Sequence, residues 1–234
     1  MNRKVLVPMT LTLGAAAFVA GIFLFNGSVG NVGASNVVAG NATAPGASAA
    51  TSGLKAQGLP SETLVRAHSP VIGPRNAPVT IVEFFDPSCE ACRAFYPEVK
   101  QIMARYPNEV RLVVRYAPNH PGSEEAVRIL EAARPQNLYV PVLEAVLAQQ
   151  PQWHDGNMES AWSAAAAAGL NVERARAALN APAVTANMQQ DIADGQALGV
   201  KGTPTYFVNG TPLIEFGLPQ LEALIRAEVE ARRR

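Results

Sequence analysis

An α/β fold, a mixed sheet flanked by helices and interrupted by a long helical block, is predicted by three features of this 234-residue chain. A strand, a helix and a second strand follow one another between Ala77 and Pro118. The next 80 residues or so carry almost only helical patterns. A hairpin signal and one more helix close the chain.

"APVTIVEFFD", Ala77 to Asp86, is rich in β-branched and aromatic residues and bounded by Pro78 and Pro87, so it reads as a buried strand. From Cys89 to Met103 the apolar residues Ala91, Phe95, Val99, Ile102 and Met103 recur at helical spacing, and Pro97 should kink that helix rather than end it. "EVRLVVRYAP", Glu109 to Pro118, is the second strand, which makes a βαβ unit with parallel pairing and a right-handed crossover. Helices are then predicted over Ser123–Arg134, Val140–Gln149 and Met158–Ala168, the last closing at Gly169. Asn171 caps a further one, and another runs near Val184–Leu198. In "TPTYFVNGTPLIEF", Thr203 to Phe216, Asn209-Gly210 is the two-residue turn of a hairpin. The last helix sets Leu221, Leu224, Ile225 and Val229 on one face. Two parallel strands plus an antiparallel hairpin give the thioredoxin fold with a helical domain inserted at about 119–198 of a folded region spanning 59–234.

The N-terminal residues point to export. Arg3 and Lys4 precede an uncharged apolar run, Val5 to Phe25, close to the roughly 20 residues that a membrane-spanning helix needs. Residues 1–25 therefore read as a signal anchor with the N-terminus inside, or as a signal peptide cleaved near Val32–Ala34. Residues 26–58 are Gly-, Ala-, Ser- and Asn-rich with no aromatic residue, the composition of a flexible tether. The expected location is the periplasm or the outer face of the inner membrane. Lys plus Arg balance Asp plus Glu at 19 each, and nothing in the charge pattern suggests nucleic acid as a partner.

The chain has two cysteines, Cys89 and Cys92, three positions apart. A structural zinc site needs about four ligands, and His68, His120 and His154 are widely separated. A staple closing so short a ring removes little entropy from the unfolded chain. Two thiolates can hold Cu(I). The remaining reading is a dithiol/disulfide couple that needs no other cofactor. Cys89 falls at the helix N-terminus, where free N–H groups and the helix dipole stabilise a thiolate, and Cys92 one turn further in should be more buried and less ionised. An exposed attacking thiol beside a resolving one is what exchange requires.

From about Ser61 to Val229 the chain resembles the DsbA-like thiol–disulfide oxidoreductases. The residues that carry this are "SPVIGPRNAPVTIVEFFDPSCEAC", Pro97 in the helix, His120 and Pro121 after the second strand, and "GVKGTPTYFVNG". The resemblance implies that Cys89 attacks and Cys92 resolves. It implies that Glu83 is a carboxylate buried beneath the cysteines, its pKa raised so that it relays the proton of Cys92. It also implies that Pro204 is cis and that Thr203 offers backbone groups to an extended substrate segment.

One departure concerns redox tuning. Strongly oxidising relatives carry histidine just before the second cysteine. Here that residue is Ala91, and Glu90 adds a negative charge beside it. Both should leave the thiolate less stabilised and the couple more reducing. The function expected is a periplasmic, membrane-tethered oxidoreductase acting on cysteines of exported proteins together with a membrane redox partner. The alternatives are a reductase or isomerase, and a non-enzymatic Cu(I)-binding thiol chaperone.

Overall fold

The computed structural model describes residues 61–234, so the expected membrane segment at 1–25 and the tether at 26–58 lie outside the described residues. Among the described residues no helix is long and apolar enough to cross a membrane. Five strands form one mixed sheet in the order β1-β3-β2-β4-β5. They are β1 (Val71–Ile72), β2 (Val79–Phe85), β3 (Val110–Tyr116), β4 (Thr205–Val208) and β5 (Thr211–Pro212). The helices are α1 (Ser61–Leu64), α2 (Glu90–Ala104), α3 (Ser123–Ala133), α4 (Tyr139–Ala148), α5 (Glu159–Ala167), α6 (Val172–Ala178), α7 (Pro182–Ala197) and α8 (Leu218–Arg232).

β2 lies at the centre because its residues are apolar on both faces. It pairs in parallel with β3, Ile81 opposite Leu112, and antiparallel with β4, Glu83 opposite Tyr206. Val79, Ile81 and Phe85 join the larger core with α2, α8 and the helical block, while Val82 and Phe84 pack with Leu64, Val113 and Phe207 on the other face. Burying side chains of this size contributes roughly 1.5–3 kcal/mol each. The hairpin turns on Asn209 (φ 47°) and Gly210 (φ 86°), the left-handed pair that a tight turn between twisted strands needs.

The helical block follows the sequence with ends shifted by one or two residues. The side chain of Asn171 accepts from the Arg174 N–H at 2.8 Å, capping α6. α7 begins at Pro182, earlier than periodicity suggested, because proline suits a first turn whose N–H has no partner. Pro97 sits within α2 without ending it. Strand β1, which pairs with β3, was not expected: two residues are too few to show a period.

α7 is fastened to the sheet by charge. Arg115 on β3 is wholly buried. Its Nε donates to Asp191 Oδ1 at 2.7 Å, a second nitrogen reaches Asp194, and a third donates to the carbonyls of Thr63 and Leu64. Asp191 also accepts from the Tyr116 N–H and lies 2.7 Å from His68 Nε2. The hydrogen bonds of Arg66 hold the Asp194 carboxyl well below the usual carboxylate range. Two guanidinium groups face two carboxylates there.

Candidate active site

β2 delivers its C-terminal end to the start of α2, and the two cysteines lie at that junction. Cys89 is the N-cap of α2, with extended backbone (φ −74°, ψ 122°). Its N–H donates to the Asp86 carbonyl at 3.1 Å, and its own carbonyl accepts from Arg93 N–H in the first helical turn. Cys92 is completely buried and Cys89 is 6% exposed. The Asp86 N–H points at Cys92 Sγ, 3.5 Å away.

The two thiols are pushed in opposite directions. Cys89 falls to about 5, because the Cys92 thiol donates to its sulfur and outweighs the opposing effect of burial. A side-chain hydrogen bond from Thr203 and the N–H groups of Ala91 and Cys92 at the open helix end lower it further, although none of these N–H groups makes a close capping bond. Burial pushes the Cys92 thiol far up, helped by the hydrogen bond it gives to Cys89 and by the nearby Glu83 carboxylate.

Glu83, on β2 beneath the pair, is 1% exposed, and among the described residues no cation is paired with it. Burial pushes its carboxyl up to about 8, against a 3.1 Å hydrogen bond from the Tyr206 hydroxyl that favours the charged form. Its neutral form is therefore favoured at neutral pH. Across the site the Thr203–Pro204 peptide is cis, and the Thr203 carbonyl lies 3.2 Å from Cys89 Sγ. Cys89, Cys92, Glu83, Thr203 and Pro204 are thus gathered at the ends of β2 and β4, although Glu83 and Pro204 are separated by the whole helical block. Glu90 stands apart: its side chain is 73% exposed and lies 3.8 Å from His154. Ala91 follows it on α2, half-buried beside the larger core.

Sequence reasoning missed Asp86 and Gln150. Asp86 is wholly buried, and its carboxylate accepts from Ser88 N–H, Asn119 N–H, the Ser123 hydroxyl and His120. Gln150, beyond α4, is also wholly buried. Its amide donates to the carbonyls of Pro87 and Cys89, and its oxygen accepts from Arg93 at 2.9 Å. The helical block therefore holds the cysteine loop directly. The Asp-Pro-Ser turn before Cys89 was the only local hint of Asp86, and nothing local marked Gln150.

With this geometry the comparisons with known proteins agree. The thioredoxin family model matches residues 66–227. The chain belongs to the thioredoxin family. A thioredoxin-like oxidoreductase from Silicibacter pomeroyi is 32% identical and superposes with a TM-score of 0.66, covering 75% of this chain and 98% of that one. BdbD from Bacillus subtilis (21% identical, TM-score 0.61, 69% and 93% covered) and α-DsbA1 from Wolbachia pipientis (15%, 0.63, 73% and 97%) share the fold. The expected DsbA-like architecture is therefore present, and the family's oxidoreductase chemistry is the chemistry these two thiols permit. Among curated proteins, the Na⁺/H⁺ antiporter NhaA of Herminiimonas arsenicoxydans is 37% identical over 141 residues, 60% of this chain and 22% of the antiporter. The chain spans roughly a quarter or less of the length of the curated antiporters it matches.

Proposed function

We propose that this protein exchanges disulfides with cysteine-containing exported proteins through the Cys89–Cys92 couple. The observation that carries the reading is the opposite ionisation of two adjoining thiols: Cys89 acidic at a helix N-terminus, Cys92 buried and held protonated.

The oxidising half-reaction uses these residues as follows. A client thiolate attacks Cys89 Sγ of the disulfide, the Cys89–Cys92 bond breaks, and Cys92 leaves as a thiolate. Because Cys92 is a strong base there, it takes a proton, and the protonated Glu83 beneath it supplies one. A second client thiolate then attacks the client sulfur of the mixed disulfide. Cys89 leaves as a stable thiolate, the client gains a disulfide, and the protein holds the two electrons. In the reverse direction Cys89 attacks, and Glu83 accepts the proton of Cys92 as it resolves. An extended client segment beside Cys89 would lie along the Thr203–Pro204 backbone.

Hydrogen bonding lowers Cys89 and favours the reduced form of the couple, while Ala91 in place of the tuning histidine supports a couple more reducing than about −120 mV. Electrons would pass to or from a membrane redox partner. An outer-face location with residues 1–25 as anchor is supported by the apolar N-terminal run behind Arg3 and Lys4.

The test is parallel measurement of insulin reduction, reoxidation of reduced ribonuclease and Cu(I) titration. Turnover lost in both Cys89→Ala and Cys92→Ala, with a mixed disulfide trapped in the latter, is the expected result. Tight Cu(I) binding without turnover in the wild type would replace the enzymatic reading with the chaperone.

A further inference from the structure

Position 91 brings no charge to the cysteine pair, yet a histidine from elsewhere in the chain reaches the same cavity. A space of about 370 Å³ opens beside Cys89, walled by Ser88, Cys89, Glu90, His120, Pro121 and His154. His120 comes from the loop between β3 and α3, some 30 residues along the chain from Cys89. We propose that His120, braced by Asp86, is the positioning cation of the Cys89 thiolate, taking the place of the histidine missing before Cys92. The proposal rests on the exchange reading above.

The brace is unusually complete. His120 Nδ1 lies 2.6 Å from Asp86 Oδ2, and since a carboxylate only accepts, the ring donates from Nδ1. Nε2 has no protein partner among the described residues. The His120 loop is fixed at each side. Asn119 N–H donates to Asp86 at 2.7 Å, Ser88 Oγ donates to the Pro121 carbonyl at 2.7 Å, and His120 N–H donates to Ser123 Oγ at 3.2 Å. Gly122 follows with φ +74°, and a Cβ there would stand 2.6 Å from the Met158 sulfur, so the turn is packed against the start of α5. Asp86 meanwhile sends its backbone N–H to Cys92 and accepts from Cys89 N–H. One buried residue thus fixes both cysteines and the histidine relative to each other.

The charges around this cavity favour an imidazolium. Hydrogen bonding to Asp86, its negative charge and the Cys89 thiolate all raise the ring above its ordinary value, more than partial burial lowers it. On the rim, Glu90 is exposed and opposed by His154 at 3.8 Å. On the buried side, Glu83 is mostly neutral and Asp86 is saturated with donors. The His120 side chain is 46% exposed, so water screens its effect and a moderate coupling is expected.

The experiment is a thiolate titration of the full-length reduced protein by absorbance at 240 nm, paired with a glutathione equilibrium. His120→Gln should make Cys89 about three- to tenfold less acidic, and shift the equilibrium towards the oxidised form by a similar factor. His120→Lys, which keeps a cation, should restore most of that acidity. By reciprocity the His120 ring, followed by NMR, should lose the same factor of proton affinity in Cys89→Ala, a coupling that a merely structural residue would not show. Identical Cys89 titrations in wild type and His120→Gln, with the fold confirmed by circular dichroism, overturn the proposal. A shift in His154→Gln but not in His120→Gln overturns it as well. If the wild type exchanges no disulfides while the Cys89–His120 coupling is intact, the exchange reading fails and the pairing stands.

Discussion

Two buried polar clusters sit at opposite faces of β2 and β3, and they are built on opposite rules. Around Arg115, every carboxylate has its guanidinium: Asp191 accepts from Arg115, Asp194 from both Arg115 and Arg66, and spare lone pairs go to Tyr116 N–H and Gln190. Around the cysteines, compensation is withheld. Among the described residues Glu83 has one hydroxyl and no cation, and Cys92 has one distant N–H besides its bond to Cys89. A compensated cluster holds α7 on the sheet. An uncompensated one keeps a carboxylic acid and a thiol in reach of protonation changes, which is the property exchange uses.

Breaking either cluster should reveal that difference. The largest effect is expected for Cys89→Ser, which should lower insulin reduction by about a thousandfold or more and leave α7 and the Arg115 cluster in place, read as a melting temperature below that of the reduced wild type at about pH 7 by the lost thiolate contribution alone and converging with it below about pH 5. Arg115→Ala should do the reverse. Two carboxylates lose a buried partner, at a cost of about 3–5 kcal/mol in urea unfolding, while the folded fraction keeps the wild-type Cys89 titration. If the variant is too unstable to isolate, Arg115→Lys gives a smaller loss in the same direction.

Glu83→Gln sharpens the comparison through pH. The lowered Cys89 stabilises the reduced protein fully above its unfolded value of 9.0, a contribution lost as pH falls through about 5. The raised Glu83 stabilises fully below its unfolded value of 4.5, a contribution lost as pH rises through about 8. Between about 5 and 8 the two trends oppose each other. Removing Glu83 should therefore let the stability of the reduced form rise with pH across that window, by at most about 1.4 kcal/mol per unit. It should also slow resolution of a mixed disulfide about a hundredfold. A stability profile unchanged by Glu83→Gln would show that the carboxyl is not held neutral. The smallest effect is expected for Gln150→Ala, about 1–3 kcal/mol, with attack by Cys89 slowed because the amide that ties the loop carbonyls of Pro87 and Cys89 to the helical block is gone.

Much of this was legible in the chain. The β2 and β3 runs, the α2 periodicity, the Asn171 cap and the Asn209-Gly210 turn are local patterns, and a local pattern suffices when backbone preference and burial point the same way. Strand β1 and the short turns beyond α3 and α4 left no trace, being too brief to show a period. The Arg115 cluster was also invisible, because its members lie up to 128 positions apart and look singly like ordinary surface charges.

What the sequence by itself determined is the order of elements and the placing of Cys89 at a helix start, since both follow from interactions within a few residues. What only the tertiary structure decided is the electrostatics of the pair. Whether Glu83 meets a cation, which carbonyl faces Cys89, and that Asp86 holds His120 beside it depend on loops brought together by packing. Charges act through space with strengths set by burial, and neither distance nor burial is written in the spacing of residues.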